Sequence, residues 1–131
     1  MVALMTIFAF LVPAGLARAS ADADRLNCSV TYTVYPYTGG FTAGISIRNT
    51  GRATIFGWTF SFRLDDSAEV AEMWGAELMS PKGRIVARNK AYNGVIPPSQ
   101  SVDIGFRAVG GPGAPASDFS VNGVGCSAIR V

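Results

Sequence analysis

The chain has 131 residues and a formal net charge of +2, enough for one domain with one core but not for a large catalytic domain and a linker as well. Acids and bases are interspersed and no basic stripe is present to neutralise phosphates, so nucleic acid is excluded as the expected partner, and the small charge gives no pull toward anionic membranes. The complete lack of histidine removes Ser-His-Asp and Cys-His nucleophiles and most zinc and copper sites, including that of a copper enzyme needing an N-terminal histidine ligand.

In chain order, Met1 to Leu16 is apolar apart from Thr6, and Ala17-Arg18-Ala19 and Ala19-Ser20-Ala21 offer small-x-small cleavage sites, the pattern of an export signal. No Lys or Arg precedes the apolar run; the alternative is a membrane anchor, for which the run is slightly short. The expectation is a signal peptide over residues 1–21 and a secreted, monomeric module over residues 22–131, with no membrane contact after cleavage. Cys28 and Cys126 are the only cysteines, and an even count in an exported chain predicts a disulfide between them.

Beyond the signal, period-2 alternation dominates. Cys28, Val30, Tyr32 and Val34 share one face of a strand. Phe41, Ala43, Ile45 and Ile47 share one face of the next. Phe56, Trp58, Phe60, Phe62 and Leu64 alternate with Ile55, Gly57, Thr59, Ser61 and Arg63, and Val102, Ile104 and Phe106 alternate with Asp103, Gly105 and Arg107. Weaker strands are expected over 70–78, 84–89 and 118–124, with residues 68–78 also compatible with a short helix. Turn signals such as Thr38-Gly39-Gly40, Asn49-Thr50-Gly51, Asp65-Asp66-Ser67, Pro81-Lys82-Gly83 and Pro97-Pro98-Ser99 separate the runs. The fold class this predicts is all-β, an antiparallel two-sheet sandwich of the immunoglobulin-like or jelly-roll-like kind. No internal repeat and no Pro/Thr/Ser-rich linker is present, so a stand-alone module is expected.

Three aromatic residues lack an obvious core to enter. Tyr37 lies in the turn-like run Tyr35-Pro36-Tyr37-Thr38-Gly39-Gly40 and Tyr92 in Asn89-Lys90-Ala91-Tyr92-Asn93-Gly94. Trp74 points outward with Glu72 if Ala71 and Met73 point inward. Trp58, by contrast, shares parity with Phe56, Phe60 and Phe62 and belongs to the core. Exposed rings on a small β domain form a stacking surface for flat ligands, and sugars are the commonest flat ligand outside cells. Glycoside hydrolysis needs two carboxylates. A Glu72/Asp103 pair is the conceivable one, but a flat sandwich face cannot easily desolvate an acid to raise its pKa, so no catalytic residue, metal site or cofactor is assigned. Asp65-Asp66 is read as a turn rather than a calcium site.

From Cys28 to Cys126 the chain resembles a family 2 carbohydrate-binding module. The resemblance rests on ordered blocks: Cys28-Ser29-Val30 with Tyr32, Gly40-Phe41-Thr42-Ala43, Ile47-Arg48-Asn49-Thr50-Gly51, Gly57-Trp58-Thr59-Phe60, Trp74, Tyr92-Asn93-Gly94, Ile96-Pro97, Gly105-Phe106, Phe119-Ser120-Val121-Asn122-Gly123 and Cys126. It implies a sandwich of roughly nine strands with bridged termini, and three rings on one sheet face that stack on crystalline cellulose or chitin. By position those rings are Tyr37, Trp74 and Tyr92, where the family commonly has tryptophan. The third ring, Tyr92, favours the cellulose-binding subgroup over the xylan-binding one, as does Glu77 in place of the latter's Arg. Where the family often places Asn and Gln around the rings, this chain has Tyr35, Gly44, Glu72, Asp103 and Arg107, which brings chitin or a charged polysaccharide into consideration.

Strands lie about 4.8 Å apart, so rings two strands apart would sit roughly 10 Å apart, near the length of a disaccharide. Covering about 50–80 Å² of apolar sugar face per ring would contribute on the order of 1–2 kcal/mol each, for affinity on the weak side of the micromolar range. The expected function is a secreted, non-catalytic polysaccharide-binding protein, with Tyr37, Trp74 and Tyr92 stacking and Glu72, Asn93, Asp103 and Arg107 as polar contacts. The alternatives are the binding module of a glycoside hydrolase, and a protein-interaction module reusing the sandwich with its rings as anchors.

Overall fold

The computed structural model describes residues 27–131; the expected signal peptide lies outside them. The strands are β1 (Cys28–Tyr37), β2 (Gly40–Asn49), β3 (Ile55–Phe56), β4 (Thr59–Arg63), β5 (Ala68–Trp74), β6 (Ala76–Ser80), β7 (Arg84–Asn89), β8 (Val95–Ile96), β9 (Ser101–Gly110), β10 (Ser117–Val121), β11 (Val124–Gly125) and β12 (Ser127–Arg130). Sheet I runs β12-β1-β2-β9-β5, sheet II runs β11-β10-β4-β7-β6, and β3 pairs with β8 in a separate ribbon. The two-sheet sandwich is therefore as expected. Among the described residues, twelve strands replace roughly nine because three of them are two-residue pieces.

Pairing is antiparallel except between β1 and β12, which run parallel with Ser29 opposite Ser127. The reason lies one residue earlier: Cys28 and Cys126 are disulfide-bonded, so both strands leave the same covalent link side by side and in one direction.

Residues 68–78 form no helix. Gly75, at φ +80°, splits them into β5 in sheet I and β6 in sheet II. A Cβ there would stand 2.9 Å from the Asp103 carbonyl oxygen, so the corner needs glycine for space as well as for conformation. A second glycine, Gly57 at φ +80°, overturns part of the alternation expected over 55–64. It ends β3 and resets the parity: Trp58, Phe60, Phe62 and Leu64 are buried, whereas Phe56 is 79% exposed.

The two inner faces close on an aromatic cluster. Phe62 stacks on Phe106 of sheet I and on Phe119 of sheet II, at centroid distances of 5.8 and 5.7 Å. Tyr32 packs 5.6 Å from Phe119, and burial pushes its phenol pKa well up. Such pairs add to the area they bury. Asn49 is the buried polar side chain of this core. Its Nδ2 donates to the Ala53 and Ile96 carbonyls, each at 2.8 Å, and its Oδ1 accepts from the Gly51 amide at 2.9 Å. One amide thus ties the turn after β2 to the ribbon and leaves no orphaned group.

Candidate functional site

With inward positions filled by the core, the alternate residues of sheet I form its outer face. Trp74, at the end of β5, stands opposite Gly105 of β9, which stands opposite Gly44 of β2. A Cβ on Gly105 would lie 2.5 Å from Trp74 Nε1, 2.6 Å from Cε2 and 2.7 Å from Cζ2. These three atoms form one edge of the indole, so that edge occupies the place a side chain would take, while Trp74 as a whole stays 50% exposed. Any residue other than glycine at 105 would lift the ring off the sheet.

Trp74 and Glu72 point outward as expected, but for a different reason. Ala71 is exposed rather than inward-facing, because a β-bulge falls between Val70 and Glu72. The extra residue keeps Val70 inside, while Met73 packs against the core from the far side of the bulge.

Tyr37 is 49% exposed at the end of β1. Its ring folds over Gly40, whose added Cβ would lie 3.2 Å from Tyr37 Cε1. Tyr37 and Trp74 are three strands apart in sheet I, with β2 and β9 between them, not two as the sequence spacing argument assumed. Register places their backbones roughly 14 Å apart across the strands and roughly 13 Å along them. The space between is bridged by Arg107, whose Nε donates to Glu72 Oε1 at 2.8 Å. The Glu72 carboxylate raises the Arg107 pKa first and the Tyr37 phenol raises it further. Glu72 and Arg107 are thus each other's partners, and Arg107 links Trp74's strand neighbour to Tyr37.

Tyr92 is 77% exposed on the turn between β7 and β8. Asn93, expected as a ligand contact, also holds the fold together. Its Nδ2 donates to the Gly75 carbonyl at 2.7 Å, its Oδ1 accepts from the Lys90 amide at 2.9 Å, and its carbonyl accepts from Trp58 Nε1 at 2.9 Å. These bonds fasten the Tyr92 turn to the corner that follows Trp74. Asp103 is exposed opposite Ser46 and forms no ion pair among the described residues.

Glu72 stands opposite Arg107, four residues along β9 from Asp103, so the two backbone positions lie roughly 13 Å apart along the strand. Glu72 is ion-paired with Arg107 and both acids are exposed, so no cleft holds them as an acid/base couple. Among the described residues, no three His, Cys, Asp or Glu side chains are placed to hold a metal ion. The sequence reading missed Phe56 and Val95, which pair across the ribbon and are 79% and 55% exposed; the glycine after Phe56 was the available signal.

The chain falls in the class of carbohydrate-binding modules. The chain belongs to the Cellulose binding domain family, whose sequence profile matches residues 28–126; the family is a binding domain, not a catalytic one. It is 38% identical over 103 residues to Exoglucanase B of Cellulomonas fimi, covering 77% of this chain but 9% of that protein. The solved chitin-binding domain of Chi18aC from Streptomyces coelicolor superposes with a TM-score of 0.63 at 25% identity, covering 76% of this chain and 94% of that one. The cellulose-binding family 2 carbohydrate-binding domain from ScLPMO10C superposes with a TM-score of 0.55 at 30% identity, covering 79% and 97%.

Proposed function

We propose that this chain is a secreted module that binds insoluble polysaccharide, cellulose or chitin, by stacking Tyr37, Trp74 and Tyr92 on the sugar rings. The observation that carries the reading is the Trp74 indole resting against the side-chain-free Gly105 position while half exposed. A ring fixed by the sheet beneath it loses little freedom on meeting a flat ligand. Arg107 and Glu72, already paired, and Asp103 are the polar groups beside the rings that hydrogen-bond sugar hydroxyls. Asn93 acts one step back, by holding the Tyr92 turn against the Trp74 corner.

The names of the solved relatives divide between chitin and cellulose, so both solids belong in the test. The oxidised chain and its Trp74→Ala variant are mixed with microcrystalline cellulose and with chitin, and unbound protein is measured. The expected result is retention of the parent and at least tenfold weaker retention of the variant, at low and high salt alike. Equal retention of the two proteins would show that the rings are not the binding surface.

A further inference from the structure

Phe56 is the most exposed of the large hydrophobic side chains described, at 79%, ahead of all three platform rings. It is held there by the fold rather than by looseness of the chain. Ile55 opposite Ile96 and Phe56 opposite Val95 make up the ribbon. Ile96 faces the core, 1% exposed, which turns Phe56 and Val95 together to solvent. Gly57, at φ +80°, donates its amide to the Gly94 carbonyl. Trp58, next along, is bonded to Asn89 and Asn93 on either side of Tyr92. The ribbon and the Tyr92 turn are therefore one hydrogen-bonded unit. Val95, three residues past Tyr92, lies within about 10 Å of it along the backbone, and a cross-strand step of about 5 Å leads on to Phe56.

From this continuity we infer that Phe56, flanked by Val95, is a fourth stacking contact that extends the polysaccharide-binding strip past Tyr92. The inference rests on the binding function proposed above. Its occupant is the same polymer, or a neighbouring chain of the same solid, because Phe56 and Val95 are exposed on the same hydrogen-bonded unit that carries Tyr92. Among the described residues, the Phe56–Val95 pair lies outside the buried core and faces solvent. It lies on a two-residue ribbon whose other face is already filled by the core. A phenyl ring carries no hydrogen-bonding group, so it fits the apolar face of a sugar and not its hydroxyl edge.

The test is a set of depletion isotherms on microcrystalline cellulose and chitin for the parent, Phe56→Ala, Phe56→Trp and Trp74→Ala, each with its melting temperature. Loss of one ring contact predicts roughly three- to tenfold weaker binding for Phe56→Ala on the preferred solid. Its melting temperature should match the parent's, since little buried contact is removed. Phe56→Trp, with its larger face, should bind as tightly as the parent or tighter. Parent-like binding by Phe56→Ala while Trp74→Ala loses binding would overturn the fourth contact and leave the platform standing. Parent-like binding by both variants would overturn the platform as well.

Discussion

Trp58 and Trp74 are the same residue in opposite roles. Trp58 is 2% exposed, its Nε1 hydrogen-bonded to the Asn93 carbonyl. Trp74 is 50% exposed and lies on a glycine. Neither role follows from the indole itself. Trp58 begins an inward-facing series with Phe60, Phe62 and Leu64, and its burial stabilises the sandwich. Trp74 meets a strand position without a side chain, so it is supported from below but not covered. The two are also linked: the Asn93 that accepts from Trp58 also fastens the Tyr92 turn beside Trp74. Core and platform therefore share one connector, and a change in it reaches both.

The largest perturbation removes the distinction altogether. Cys28 and Cys126 close a loop with a sequence separation of 98, and opening it is expected to cost about 4–5 kcal/mol. A Cys28→Ser/Cys126→Ser variant should show this as a much lower denaturation midpoint. Truncating Trp58 to alanine should cost about 3–5 kcal/mol, read by thermal unfolding, with no direct loss of ligand contact in the molecules still folded. Trp74→Ala should stay within roughly 1 kcal/mol of the parent while losing polysaccharide binding. Comparable destabilisation by the two tryptophan substitutions would erase the contrast between Trp58 and Trp74.

Gly105→Val sharpens the comparison while leaving both tryptophans in the sequence. The new Cβ meets the indole at about 2.5 Å, so Trp74 must lift from the sheet. Binding should fall about tenfold or more, while valine, a good strand former, keeps the fold. The change is visible as a shift in tryptophan fluorescence. Arg107→Ala tests the bridge between Tyr37 and Trp74. It removes a solvent-exposed ion pair worth roughly 0–1 kcal/mol and should weaken binding only a few-fold.

The smallest effect lies away from both regions. The Ser67 hydroxyl, then the amides of Ala114 and Ser67, hold the Asp65 carboxyl down to about 2 from an ordinary 3.8. A depressed folded pKa contributes stability above the unfolded value and loses it as pH falls through the folded one. Acid unfolding should therefore draw on Asp65 between pH 3.8 and about 2, and Asp65→Asn should flatten the curve in that window.

The sequence by itself determined the all-β class, the disulfide, and the burial of Trp58, Phe60 and Phe62. Each depends on local alternation or on the cysteine count, which survive without knowledge of neighbours. It also marked Tyr37, Trp74 and Tyr92 as rings without a core to enter. Only the tertiary structure decided what stands opposite what. The bulge that exposes Ala71, the Glu72–Arg107 pair, the bond from Asn93 to Gly75 and the glycine under Trp74 all join residues 18 to 38 positions apart. Phe56 is the instructive failure: one left-handed glycine after it inverted a parity that the sequence pattern carried straight through. Period-2 reading holds only while φ stays negative and pairing is unbroken, and both conditions lapse at the glycines and the bulge beside Phe56 and Trp74, two of the proposed stacking residues.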